Sequence, residues 1–195
     1  MSNEPILLQD EAAGIVRLTL NRPKAFNSLD RASLDALHVA LDAIASSDTA
    51  RVVVIAGNGN AFCAGHDLKE IGEDRTAEAI AALFSHCSAM MLKLQALPQP
   101  VIAEIDGIAT AAGCQLVAAC DLALCSEESR FATSGIKYGL FCSTPMVALA
   151  RNVPQKPAME MLLTGDFIDA AEAHRLGLVN HVVAKADLAD ATQAL

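Results

Sequence analysis

The chain has no tryptophan and a single tyrosine, Tyr138, which removes the flat aromatic surface on which bases or sugars stack. It also has no Cys-x-x-Cys pair. Its six cysteines, Cys63, Cys87, Cys114, Cys120, Cys125 and Cys142, are scattered through apolar or small-residue stretches. They read as buried free thiols in a reducing cytoplasm. Positive charge is scarce: 14 Lys and Arg stand against 23 Asp and Glu, a formal net charge of −9. That balance argues against nucleic acid or an anionic membrane as partner, while an anionic small molecule held by local donors stays possible. No His/Asp/Glu cluster has the spacing of a metal site, so no metal is expected. The start, Met1–Pro5, lacks the basic and apolar regions of a signal peptide and the arginines of a transit peptide. Every long apolar stretch is broken by Asp, Glu, Lys, Gln or Gly, so no window reads as a transmembrane span.

What is present is apolar. Hydrophobic residues make up 53% of the chain and mean hydropathy is +0.35, with alanine supplying much of both. No linker-like tract divides the 195 residues, so one domain over 1–195 is expected. Ile6–Gln9 and Ile15–Leu20 read as strands joined by a turn at Glu11–Gly14. A helix is predicted from Leu29 to Ala45, with Leu34, Leu37, His38, Leu41 and Ile44 on one face. Val52–Ala56 is a strand-length apolar run, as in a sheet covered on both faces. A long helix from Thr76 to Leu97 ends at Pro98 and Pro100, before strand Val101–Ile105. Further helices are predicted near Gly113–Ala119, Ser143–Arg151, Pro154–Leu163 and Ala170–Leu176, and over Asp187–Leu195. Strands fall at Leu122–Leu124, around Phe131 and at Val179–Val183. Repeated strand-then-helix order implies an α/β domain with a largely parallel sheet.

Two segments could carry chemistry. In Ala61-Phe62-Cys63-Ala64-Gly65-His66-Asp67-Leu68-Lys69-Glu70, small residues leave a strand and enter a helix, with Asp67 at the favourable N-terminal position. In Ile108-Ala109-Thr110-Ala111-Ala112-Gly113-Cys114-Gln115-Leu116 the same happens after strand Val101–Ile105. Each junction can offer a backbone N–H to one carbonyl oxygen and stabilise developing negative charge there. Ala112-Gly113 alone also fits plain close packing of a helix. Gln115 sits one turn inside the second helix, able to orient or donate but not to exchange a proton as a carboxylate does.

Leu20-Asn21-Arg22-Pro23-Lys24-Ala25-Phe26-Asn27-Ser28-Leu29 resembles the N-R-P-x-x-x-N-[AS]-[LM] segment of the enoyl-CoA hydratase/isomerase (crotonase) family. Ala61–Glu70 resembles its F-x-x-G-x-D-[LI]-x-E segment, and Pro100–Leu122 its glycine-rich segment ending in C-D. Leu163-Thr164-Gly165-Asp166 and Ala173–Val183 resemble two later ones. The resemblance implies an α/β crotonase (ClpP-like) fold of stacked ββα turns with a nearly perpendicular side strand set. It implies trimers or dimers of trimers, and an acyl-CoA thioester as partner, with coenzyme A part of the substrate and no separate cofactor. The two donors to the thioester oxygen would be the backbone N–H groups of His66 and Ala112. Lys24, Ala25 and Phe26, with His66, Asp67, Leu68 and Lys69, match the CoA-contacting segments, and Ala112 and Gly113 the second junction. Lys24 and Lys69 read equally as solvated surface lysines.

The departures are as informative. Family hydratases use two glutamates, and these fall at Gln115 and Gly135, so little hydration by the usual route is expected. Gly139–Pro145 resembles one subgroup, the enoyl-CoA hydratase domain-containing protein 3-like members, which keep the fold without the usual glutamate pair. Gly65-His66 also resembles methylmalonyl-CoA decarboxylase, whose catalytic tyrosine would fall at Cys142. Cys142 admits a nucleophile or a buried thiol. Glu104, inside an apolar strand, admits a pocket, an ion pair or a trimer contact. Three readings follow: an enolate-forming thioester enzyme, a decarboxylase-type relative, or a non-catalytic acyl-CoA-binding protein. Relatives continue for several tens of residues, with helices that cover the acyl pocket and help build the trimer. The C-terminal helical part is therefore expected to be truncated.

Overall fold

A computed structural model describes residues 4–195; Met1–Asn3, the first part of the start considered above, lie outside the described residues. The chain opens with an antiparallel pair, β1 (Leu7–Ala12) and β2 (Ile15–Leu20). The turn between them is only Ala13-Gly14, both at positive φ, the conformation a two-residue hairpin needs. Glu11 therefore belongs to the strand, not to the turn. Helix α1 (Arg31–Ala45) starts where Asp30 accepts from the Ser33 N–H, and it buries Leu34, Leu37, Leu41 and Ile44. That is the face its spacing predicts.

Three strand-strand-helix turns follow. β3 (Val52–Gly57) and β4 (Ala61–Cys63) lead to α2 (Leu68–Glu73) and α3 (Ala77–Gln95). β5 (Val101–Ile105) and β6 (Ile108–Thr110) lead to α4 (Ala112–Ala119). β7 (Leu122–Ser126) and β8 (Arg130–Ala132) lead to α5 (Ser143–Asn152) and α6 (Gln155–Thr164). The chain then runs through β9 (Ile168–Asp169), α7 (Ala170–Leu176), β10 (His181–Val183) and α8 (Leu188–Ala194).

The first strand of each turn enters a six-stranded sheet of order β1-β2-β3-β5-β7-β10, parallel apart from β1. The second enters a four-stranded sheet of order β4-β6-β8-β9. Strand β6 has no counterpart among the predicted strands, because three residues are too few to show a period. Strand β10 starts at His181, two residues later than predicted, since Val179 and Asn180 are spent on the exit from α7.

One face of the large sheet carries Val53, Ile55, Val101, Ala103 and Ile105 into the main core with α1, α3 and α4. The other carries Val54, Ile102 and Leu124 against Leu188 of α8. Glu104 lies on that second face and is held by Arg17 of β2 through two bonds, 2.6 and 2.9 Å long. The ion-pair reading of Glu104 is the one the structure supports. Helix α3, at 19 residues and hydropathy 1.2, is long and apolar enough to cross a membrane by length and composition, contrary to the sequence expectation. Alanines raise its hydropathy; Leu83, Cys87, Met90, Met91 and Leu94 pack into the core of this structure.

Candidate functional site

The ends of β4 and β6 meet. Gly65 has φ +86°, and a Cβ placed on it would lie 2.9 Å from the Ala112 nitrogen and 3.0 Å from the Thr110 carbonyl oxygen. Glycine is needed there both for the backbone angle and for the approach. Ala111, with φ 51° and ψ −120°, is held in a conformation L-residues avoid by its N–H bond to the Ala132 carbonyl, 3.0 Å. Such strain costs about 1–3 kcal/mol and clusters where geometry serves a function. Its effect is to turn the chain sharply into α4. Among the described residues, neither the His66 N–H nor the Ala112 N–H donates a bond within the chain. The second of them lies at a helix N-terminus, where partial positive charge collects.

Both amides border a cavity of about 800 Å³. Of the residues singled out in the sequence, Lys24, Ala25, Phe26, His66, Asp67, Leu68, Lys69, Ala112 and Gly135 line it. Gly113 and Gln115 do not. A Cβ on Gly113 would collide with the Cys63 carbonyl, so this glycine lets α4 press onto β4; the packing reading describes it. Every residue of α4 is buried, and Gln115 is enclosed with it, its Oε1 unpartnered. A side chain one turn into a buried helix is surrounded by packing and does not open onto the wall. Gly135 is on the wall but has no room for a side chain. Its Cβ would lie 2.5 Å from the Leu140 carbonyl oxygen and 2.7 Å from Cys142 Sγ. The 3₁₀ turn Ser134–Tyr138 and the bond from Leu140 N–H to Gly135 O, 3.0 Å, fold the chain back over that position.

The charged groups divide into spent and free. Arg22 Nη2 reaches Asp67 Oδ2 and Asp30 Oδ2, both at 3.0 Å, and Ser28 Oγ donates to Asp67 at 3.0 Å. Asp67 Oδ1 accepts from the Lys69 N–H, 3.0 Å, capping α2. Burial opposes ionisation of Asp67, yet these donors hold its pKa below the ordinary aspartate value. Its oxygens are engaged, so it builds the wall and is not free to act as a base. Lys24 and Lys69 are exposed at the mouth, without an ion partner among the described residues. His66 packs on Phe84 with ring centroids 4.7 Å apart, and its Nε2 is buried without a partner. Burial lowers its pKa to about 4, so the imidazole is neutral at physiological pH.

Sequence reasoning assigned no site role to Phe84, Thr110, Ser134, Leu140 or Phe141, all of which line the cavity. Phe84 falls inside the long helix predicted over Thr76–Leu97 and reads as core; nothing local separates a core phenylalanine from a wall one. Cys142 also lines the cavity, and burial raises its pKa, partly offset by the Gly135 backbone N–H. It is a protonated thiol, without a histidine hydrogen-bonded to it, and so not a ready nucleophile. All six cysteines are free, and burial pushes Cys63, Cys87, Cys114 and Cys125 up to about 12.

Strand pairs dealt alternately into two largely parallel sheets, with two unbonded amides meeting where they separate, define a crotonase-fold protein. The enoyl-CoA hydratase/isomerase family model matches residues 10–195, and the chain belongs to that family. Enoyl-CoA hydratase domain-containing protein 3, mitochondrial, from Xenopus laevis is 43% identical over 195 residues, 100% of this chain and 66% of that protein. The human protein of the same name is 46% identical over 182 residues, 93% of this chain and 60% of its own length. The chain thus spans about 60–66% of these curated relatives. The crystal structure of an enoyl-CoA hydratase from Mycobacterium smegmatis matches with TM-score 0.97 at 56% identity, covering 98% of this chain and 75% of that one. That of the human domain-containing protein 3 matches with TM-score 0.94 at 45% identity, covering 97% and 75%.

Proposed function

We propose that this chain binds acyl-CoA thioesters and holds the thioester oxygen between the His66 and Ala112 backbone N–H groups. The observation that carries this reading is the meeting of those two unbonded amides across Gly65, at the wall of a large cavity. Donors already aimed at a developing negative charge are worth about 10²–10³ in rate apiece, because they need no reorganisation. Lys24 and Lys69 at the mouth suit the phosphates of coenzyme A, each as a compact point charge. No separate cofactor is invoked.

The reaction supported is one that proceeds through an enolate without two shared carboxylates. Gln115 is off the wall and Gly135 is closed over, so neither position supplies an acid or base to a bound water. The same two facts also favour the non-catalytic reading, in which the protein binds and sequesters thioesters. A decarboxylase-type reaction needs enolate stabilisation more than a base, and the protonated Cys142 thiol at the wall is compatible with it. The free thiols suit a reducing compartment, and we place the chain in the cytoplasm; fractionation of cells expressing it tests that placement.

Calorimetric titration with butyryl-CoA, alongside an absorbance assay of crotonyl-CoA hydration, tests the proposal. Binding with hydration at least a hundredfold below a glutamate-bearing hydratase is expected. Hydration at an ordinary rate overturns the claim about Gln115 and Gly135, and absence of binding overturns the whole reading.

A further inference from the structure

On the wall of the same cavity two hydroxyls bond each other. Thr110 Oγ1 and Ser134 Oγ are 2.7 Å apart, both part-buried and both on residues that line the wall. The fold brings them together. Thr110 ends β6, paired in register with Ala132 of β8, and Ser134 follows two residues after that partner. Thr110 stands two residues before the Ala112 amide, and its carbonyl abuts Gly65.

Two hydroxyls carry two hydrogens, and their mutual bond uses one. The other has no acceptor among the described residues. Arg22, Ser28 and Asp67, also on the wall, satisfy each other, and the buried Nε2 of His66 makes no bond to the pair. A hydroxyl whose oxygen already accepts a bond is polarised into a better donor. A half-buried donor without an acceptor favours a ligand that brings one and disfavours an isostere that does not.

The geometry points to the Thr110–Ser134 hydroxyl pair as a specificity element that recognises an oxygen substituent on the acyl chain close to the thioester carbonyl. The inference rests on the acyl-CoA reading above and adds to it a preference for oxygenated over plain alkyl acyl groups. The pair acts as donor, and no bond is made or broken by it.

The test is calorimetric titration of the whole chain with butyryl-CoA and with 3-hydroxybutyryl-CoA. The wild-type protein is expected to bind the hydroxylated ester about five- to tenfold more tightly, the worth of one hydrogen bond in a part-buried site. In a Thr110→Val/Ser134→Ala double variant, whose folding is checked by its melting curve, that ratio is expected to fall to near one. Valine suits a strand, which limits the cost to β6. Thr110→Ser keeps a hydroxyl and is expected to keep the ratio. Equal affinities in the wild-type protein, or a ratio that survives the double substitution, overturn the inference while leaving acyl-CoA binding intact. If neither ester binds, the acyl-CoA reading falls, and this one with it.

Discussion

His66 contributes to the candidate site twice, by a backbone N–H at the cavity and by a ring packed on Phe84. The ring has a cost that depends on pH. Burial lowers its pKa from 6.5 to about 4, so between those values the unfolded chain binds a proton that the folded chain does not. The loss of stability due to this histidine is therefore expected to set in as pH drops below about 6.5 and to be complete below about 4. The loss approaches about 3 kcal/mol, at about 1.4 kcal/mol per pH unit. Asp67, whose pKa is lowered below 3.8, gives up its own contribution only at more acid pH, so the two windows are separate. Urea melts of the wild-type protein and His66→Phe at pH 7.5 and 4.5 check this. The variant is expected to lose most of the difference, and an unchanged difference would place the titration elsewhere. Nothing in the sequence distinguishes this histidine from a solvated one, since its burial depends on Phe84, eighteen residues further on in α3.

At the scale of elements, the approach of α4 to β4 decides whether the two amides meet. Gly113 makes that approach possible, because a Cβ there would collide with the Cys63 carbonyl. Gly113→Ala is expected to destabilise the chain by about 3 kcal/mol, the upper range for overpacking, because both colliding parts are anchored backbone. Affinity for butyryl-CoA is expected to fall with it, as α4 and the Ala112 N–H shift. Melting curves and calorimetry measure the two effects, and a variant of wild-type stability would refute the packing account. Most elements were legible in sequence. The helices predicted from Leu29, Thr76 and Ala170 form as α1, α3 and α7, their starts capped by Asp30, Thr76 and Asp169, and Gly177 ends α7 in the left-handed conformation. The short strands β6 and β9 were not, because two or three residues carry no period and are strands only by virtue of their neighbours.

At the scale of the molecule, large apolar side chains remain at the surface around α5 and α6: Val147, Met159, Leu163 and Phe167. Exposed apolar side chains on and beside these two consecutive helices are candidates for an interaction surface. We propose that they join copies of this chain into a trimer, about three times the 20.4 kDa chain by light scattering. Leu163, 58% exposed, is the residue to test. Leu163→Glu is expected to yield monomers while changing the thermal stability of the single chain by no more than about 0.5 kcal/mol. A monomeric wild-type protein would refute the assembly. What the sequence by itself determined was the α/β order, the family and the two small-residue junctions, since these follow from local period, turn chemistry and motif spacing. The tertiary structure alone decided which motif residues face the cavity. Gln115 turned inward because α4 is buried all round, and Gly135 was closed over by a loop returning from residue 140. Thr110 met Ser134 because β6 and β8 pair in one register. Facing a cavity is a relation between elements distant in the chain, and one-dimensional spacing does not contain it.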